Sequence, residues 1–161
     1  MTDPLASGTP LVIAAHGTRD KSGVAECRAL AERIAGKLPG IPVELGFVEL
    51  AEPGIPAAVR AAVAQAPKKP EEADGDEEPA AAVVVPLMFN TGGHVREDIP
   101  EAIDEGRGDA RVVYSAPLLP DVRMRKALSR RLSETLAAGE GREEWRSRDT
   151  AVVLVGRGAL V

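Results

Sequence analysis

The sequence has very few aromatic residues and only one cysteine. Phe, Trp and Tyr together make up 2% of its 161 residues, whereas hydrophobic residues as a class make up 44%. One domain of ordinary size is therefore expected, with a core built from Ala, Val, Leu and Ile. The single cysteine, Cys27, excludes an internal disulfide framework and any CxxC metal site. Its helical spacing with apolar neighbours predicts a buried structural thiol.

Excess basic charge, long apolar runs and nucleotide-binding motifs are also missing. The net charge of −5 argues against nucleic acid as the main partner. No apolar run approaches the roughly 18 residues of a membrane span, and the N-terminus lacks a signal-peptide pattern. The motifs GxxxxGK(S/T), GxGxxG after a strand and GxSxG are absent, so ATP, dinucleotide and hydrolase chemistry are unsupported. We expect a cytoplasmic protein without a membrane partner.

Short apolar segments alternate with helical patterns along the chain. Strands are predicted at 11–15, 43–50, 81–87, 111–116 and 150–156. Helices are predicted over 22–38, after Pro53, after His94, and along the stripe of Met124, Leu128, Leu132 and Leu136. Continuously apolar strands that alternate with helices indicate a parallel sheet covered on both faces. We therefore predict an open α/β sandwich of the doubly wound, flavodoxin-like kind.

The domain is predicted to span 1–138. One polar segment interrupts its alternating pattern, and a second polar segment follows it. Residues 67–80 are rich in proline and acid and poor in apolar residues, which predicts a mobile surface loop. Residues 139–149 are interpreted as a polar linker. Trp145 within the linker is interpreted as a packing or docking residue.

The last segment, 148–161, is similar to the segment 8–20 near the start of the chain, and a second copy of the fold is predicted to begin at 150. Aligning the two segments places Arg157 on His16. The similarity predicts the start of a degenerate second repeat that would carry no metal. Chance similarity between two buried strands is the alternative.

Both histidines of the sequence are expected at one edge of the predicted sheet. His16 follows the first strand, Glu49 lies near the end of the second, and the third leads to His94. Ligands of open parallel sheets bind beyond the carboxyl ends of the strands. Two imidazoles and one carboxylate suit Co²⁺, Fe²⁺, Ni²⁺ or Zn²⁺ and leave coordination positions open. These three residues are the predicted catalytic and metal-binding set, although each alone would also suit an ordinary loop.

Candidate substrate-binding residues flank the two histidines. They are Asn90, Thr91, Gly92, Gly93, Arg19, Lys21 and Arg96. The paired glycines would let a flat ligand approach the backbone closely, and they would equally suit a simple turn. The three cations could pair with an anionic ligand, and solvated surface charge is the alternative.

Three motifs occur in a fixed order over residues 10–136: LVIAAHGTRD, FVELAEP and VVVPLMFNTGGHVREDIP. Together they resemble the class II tetrapyrrole chelatases, most closely the CbiX-type sirohydrochlorin chelatases. The resemblance implies a lyase-type enzyme that inserts Co²⁺ or Fe²⁺ into sirohydrochlorin without ATP or another nucleotide, for cobalamin or sirohaem biosynthesis. Ni²⁺ is left open as a third metal.

The resemblance also implies residue roles. His16 and His94 would bind the metal and accept protons, and Glu49 would assist metal binding. Small residues, among them Ala14, Ala15 and the glycines, could line a cleft for the flat macrocycle. The flanking cations would pair with the carboxylates of sirohydrochlorin.

Other functions and assemblies stay open for the sequence alone. A non-catalytic carrier of metal or tetrapyrrole would use the same ligands. The segment AAHGT also weakly resembles the RHG motif of histidine phosphatases, but Ala15 stands in place of the arginine. The oligomeric state is open between a homodimer and a chain whose cleft a second repeat would complete.

Overall fold

The computed structural model describes residues 8–67 and 79–137, together with Ala151 and Val153. Its strands are β1 (Leu11–Ala15), β2 (Val43–Phe47), β3 (Ala82–Pro86) and β4 (Val112–Tyr114). Its helices are α1 (Lys21–Ala35), α2 (Ile55–Ala64), α3 (Ile99–Arg107) and α4 (Val122–Ala137), and a π-helical turn at His94–Asp98 leads directly into α3. Within these residues, no helix has the length and apolar character needed to cross a bilayer.

All four strands are parallel and lie in the order β2-β1-β3-β4. β1 is central, with Ala15 aligned to Phe47 of β2 and Ala14 aligned to Pro86 of β3. The carboxyl ends of these three strands therefore lie side by side at one edge of the sheet. The predicted open, doubly wound α/β fold is confirmed. The linker lies outside the described residues, as do most of the acidic loop and all of the predicted strand at 150–156 and of the second repeat except Ala151 and Val153.

Alternate residues of β1 face two separate helical layers, as the period of a strand requires. Val12 and Ala14 pack in one cluster with residues of α2 and α3, including Val59 and Ile99. Ile13 faces the other side of the sheet, where α1 covers it. Both clusters are largely aliphatic, in agreement with the scarcity of aromatic residues, and each fully buried Val or Ile contributes about 1.5–3 kcal/mol.

Two predicted elements end three residues earlier than the apolar pattern indicated, and β3 and β4 end one and two residues earlier. α1 ends at Ala35 rather than at 38, because the chain passes into a turn in which Leu38 still packs against the sheet. β2 ends at Phe47 rather than at 50. The chain turns shortly afterwards, and Leu50 has a φ of 64°, a left-handed conformation that a strand cannot accommodate.

The burial of several residues differs from expectation. Cys27 is half-buried rather than buried, because α1 turns it toward the margin of the helix–sheet contact. Ala14 and Ala15 are wholly enclosed in the sheet, so they cannot line an open cleft. The apolar stripe on α4 forms the predicted helix, yet none of its residues is buried by the described part of the chain, and Leu128 is 51% exposed.

Candidate metal centre

Backbone hydrogen bonds beyond the end of β2 hold Glu49 beside His16. The amide of Val48 donates to the carbonyl of Ala15 at 2.9 Å, and the amide of Glu49 donates to the carbonyl of His16 at 3.1 Å. The two chains thus stay paired past the last residues of their strands. As a result, Nδ1 of His16 lies 3.8 Å from Oε1 of Glu49.

Gly17 makes this close approach sterically feasible. Its φ is 93°, and a Cβ atom placed on it would lie 1.8 Å from the carbonyl oxygen of Glu49. A side chain at this position would therefore be strained by the backbone and would also push the second chain away. The glycine after His16 serves the packing of the site itself rather than the approach of a ligand.

His94 enters the site from the other side of β1. It begins the π-helical turn after β3, and Val95, the next residue, is buried and anchors the turn to the core. Gly93 has the helical angles φ −52° and ψ −50°, and a Cβ atom added to it would contact nothing within 4 Å. Neither the backbone nor the packing of the chain requires glycine here, so its missing side chain leaves open space next to the histidine.

Each histidine has an acceptor beside Nδ1. In His94 this acceptor is Oδ2 of Asp98, one helical turn onward. In His16 it is the carbonyl oxygen of Gly17, at 3.2 Å. A carbonyl and an ionised carboxylate only accept, so a neutral imidazole here carries its proton on Nδ1 and keeps Nε2 free. Both rings therefore offer Nε2 to a metal ion or to a proton.

The side chains of His16, Glu49 and His94 converge in space. Each offers one ligand atom, and these atoms all lie within 4.8 Å of one another. The two imidazole rings meet edge to face, with centroids 4.7 Å apart and planes at 87°. Metal ligands of this kind bind at about 2.0–2.2 Å, so modest side-chain rotation would close the set on one ion. Three protein ligands would leave further coordination positions open.

The ligand side chains of the centre are partly exposed among the described residues. The side chains of His16 and Glu49 are each 49% exposed and that of His94 is 36% exposed. The loop before His94, which carries the predicted substrate residues Asn90, Thr91 and Gly93, is exposed as well, and Gly92 is half-buried. An ion held here could exchange its ligands, in contrast to a closed structural site.

The predicted cations lie on two sides of the centre. Arg19 follows β1 and lines a groove beside α1, together with Lys21. Arg96 lies in the π-helical turn and is exposed. Within residues 8–67 and 79–137, none of the three forms an ion pair. Their role in substrate binding stays a prediction.

Asp98 is the residue of the site that the sequence reasoning missed. It lies four residues after His94, which is the spacing that places two side chains on one face of a helix. Because the segment after His94 was predicted as a helix, this spacing was a usable signal. Carboxylates that hold the second nitrogen of a ligating histidine fix its tautomer and its ring orientation.

A parallel α/β domain with two histidines and one glutamate converging at the carboxyl edge of its sheet carries an open candidate metal centre. The family model described as CbiX matches residues 10–135. The chain therefore belongs to the CbiX family, as the three motifs indicated.

Relatives and solved structures agree with this assignment. A sirohydrochlorin ferrochelatase from Priestia megaterium is 31% identical over 148 residues, which cover 89% of this chain and 48% of the relative. A sirohydrochlorin cobaltochelatase from Sulfolobus acidocaldarius is 30% identical over 127 residues, which cover 79% of this chain and 92% of the relative. The chain thus spans about half the length of the first relative and nearly all of the second.

The fold is also similar to that of a solved chelatase. The crystal structure of the sirohydrochlorin chelatase SirB from Bacillus subtilis subspecies spizizenii, in complex with cobalt, matches with a TM-score of 0.63 and 27% sequence identity. The match covers 79% of this chain and 50% of that chain. It supports the chelatase-like α/β fold described above.

Proposed function

We propose that this chain is a sirohydrochlorin metal chelatase, a lyase-type enzyme that inserts Co²⁺ or Fe²⁺ into the tetrapyrrole without ATP. The observation that carries the proposal is the convergence of His16, Glu49 and His94 within 4.8 Å at the open edge of the sheet. The names of two relatives, a ferrochelatase and a cobaltochelatase, support the same chemistry.

The donor set suits a metal that is substrate rather than a permanent cofactor. Neutral imidazole and carboxylate are good ligands for divalent ions of the first transition series. With three protein ligands and half-exposed side chains, the ion keeps coordination positions for water and for ring nitrogens. The same donors accept Ni²⁺, so cellular availability rather than the site selects between metals and between the cobalamin and sirohaem pathways.

Insertion also requires a base. As the divalent ion binds the four ring nitrogens, two pyrrole protons must leave. Nδ1 of His16 and of His94 lies beside an acceptor, so Nε2 of each ring, once it has released the ion, can receive one of these protons. Both tasks, delivery of the ion and removal of the protons, thus fall on one pair of side chains.

The macrocycle would lie across the loop before His94. The open space beside Gly93 gives a flat ring access to the centre. Arg19, which follows β1, and Arg96, in the π-helical turn after β3, are exposed and available to pair with carboxylates at the rim of the ring. A second copy of the chain or a second repeat would complete the other wall of this cleft.

Several further expectations stay predictions. They are the cytoplasmic location, the absence of nucleic-acid, membrane and nucleotide partners, and the division into a domain over 1–138, a linker over 139–149 and a second repeat from 150. None of them is needed for the chemistry of the centre. They concern where the enzyme works and what completes it.

An anaerobic absorbance assay tests the proposal. Sirohydrochlorin is mixed with Co²⁺ or Fe²⁺ and with wild type, His16→Ala, His94→Ala or no protein. We expect acceleration over many turnovers by wild type alone, because each variant loses a ligand and a base. Glu101→Ala, an exposed acidic position on α3, serves as the control that should retain activity.

Two results would contradict the proposal. Insertion by both histidine variants at the wild-type rate would remove their assigned role. Turnover limited to one metallated ring per protein would instead indicate a carrier of metal or tetrapyrrole. Thermal unfolding of each variant would show whether a loss of activity reflects loss of the fold.

A further inference from the structure

A groove lies beside the metal centre, between α1 and the turn after β2. Its volume is about 600 Å³, which is in the range of small-molecule sites rather than of single ions. Thr18, two residues after His16, and Leu50, the residue after Glu49, both line it. The groove therefore adjoins two of the three candidate ligands.

The lining of this groove includes positive charge that no ion pair of the described residues engages. Arg19 and Lys21 line it, are exposed, and form no ion pair within the described ranges. Asp20, between them in sequence, is engaged elsewhere, because hydrogen bonds from Ser22 cap α1 and lower the pKa of this carboxyl.

The groove is also lined by Glu32 and Glu52, and neither forms an ion pair within the described ranges. Oε2 of Glu52 accepts a hydrogen bond from the amide of Gly54 at 3.1 Å. Nη2 of Arg28, which also lines the groove, donates a hydrogen bond to the backbone carbonyl of Glu52 at 3.2 Å. Glu32 lies about three turns along α1 from Lys21, away from the metal centre.

Leu50 supplies an apolar surface at the same place. Its φ of 64° is unfavourable for leucine, and its side chain is still 48% exposed. A single exposed leucine is ordinary. Leu50, however, is both exposed and strained, so neither core packing nor the conformation of the turn explains a leucine at this position. Val24, on the facing side of the groove, adds a second apolar surface.

We propose that this groove binds one carboxylate-bearing edge of the tetrapyrrole. Arg19 and Lys21 pair with the carboxylates, and Leu50 and Val24 pack against the carbon skeleton that carries them. The inference rests on the proposed function and deepens it, because it assigns the place where the ring is held while the adjacent centre holds the ion. It predicts that affinity for the ring and affinity for the metal can be changed separately.

A binding titration tests the groove without requiring catalysis. The probe is metal-free sirohydrochlorin, and its Kd is measured by absorbance with wild type and with Arg19→Gln/Lys21→Gln. We expect Kd to rise about tenfold, the size of two partly exposed charge pairs. The matched control is Arg33→Gln/Lys37→Gln, which removes the same charge near the other end of α1. It should change Kd less than about twofold.

Two further measurements separate a binding role from a structural one. The Kd for Co²⁺ alone, from calorimetry, should stay at the wild-type value in the groove variant, because the three metal ligands are untouched. Leu50→Asn suits the left-handed backbone, so its melting temperature should be maintained. Its Kd for sirohydrochlorin should nevertheless rise severalfold, because the apolar contact is lost.

The failure of this inference differs from the failure of the proposed function. If wild type inserts metal and Arg19→Gln/Lys21→Gln binds sirohydrochlorin like its control, the groove assignment is wrong. An equal loss of Co²⁺ affinity in that variant would also overturn it. If wild type binds sirohydrochlorin through the groove but never inserts metal, the groove stands and the chelatase proposal fails.

Discussion

Replacing Asp98 with alanine removes the carboxylate that hydrogen-bonds to Nδ1 of His94. The ring then loses the acceptor that keeps its proton on Nδ1 and fixes its orientation. Asp98→Asn is the graded version, since an amide oxygen can still accept but the charge is gone. Glu97→Ala is the matched control, because Glu97 is the adjacent exposed acid and has no ion pair within the described ranges.

The burial of the pair sets the expected magnitudes. Asp98 is 50% exposed and His94 is 36% exposed, so their contact should contribute less than about 1 kcal/mol to the free energy of unfolding. Loss of such a carboxylate typically lowers metal affinity 10–100-fold. Because the pair is half-exposed, we expect the lower end, about tenfold, which corresponds to about 1.4 kcal/mol.

Three assays measure the effects of these substitutions on metal affinity, stability and the tautomer of His94. Calorimetry gives the Kd for Co²⁺, urea unfolding gives the stability, and ¹⁵N NMR of the His94 ring reports which nitrogen carries the proton. We expect Asp98→Ala to weaken Co²⁺ binding and to mix the two tautomers, with Asp98→Asn between it and wild type. Indistinguishable Co²⁺ affinities for Asp98→Ala and Glu97→Ala would refute the positioning role.

Four other substitutions test local features. Gly17→Ala should destabilise the fold by about 3 kcal/mol in urea unfolding, because backbone strain at a positive φ adds to the clash of the new Cβ atom with the carbonyl of Glu49. Gly40→Ala is the control: its φ is 82° but the space around it is open, so it should lower the free energy of unfolding by only about 1 kcal/mol. Gly93→Ala should leave the melting temperature unchanged and raise the Kd for sirohydrochlorin. Hydrogen bonds from Arg123 lower the pKa of Asp121 to about 2. The contribution of this carboxylate to stability is therefore complete above about pH 4 and is lost as the pH falls toward about 2. Asp121→Asn should abolish this part of the acid unfolding curve.

The fold could be predicted because β1 and β3 are uninterrupted apolar segments, which only a sheet covered on both faces can bury. The same reasoning placed His16, Glu49 and His94 at one edge, where the structure brings them together. Topology alone was sufficient for this step, since parallel strands end at the same side. Whether these residues perform chelation stays a prediction.

Other features depend on contacts that a single sequence does not display. The sequence pattern does not show that the backbone after β2 packs closely against Gly17. It also does not show that Leu50 adopts a positive φ. The cleft assigned to Ala14 was wrong because a small residue in a central strand is enclosed from both sides. Asp98, by contrast, could have been found, since a spacing of four residues in a predicted helix already pairs the two side chains.

The three candidate ligands come from the ends of three different strands, so they are far apart in the unfolded chain. A metal ion that binds them is consequently a reversible cross-link that only the folded state can form. At a Co²⁺ concentration 100 times its Kd, this linkage adds about 2.7 kcal/mol to the free energy of unfolding. The melting temperature of the protein should therefore report how much metal is loaded, and handing the ion to a ring should return the domain to its less stable, metal-free form.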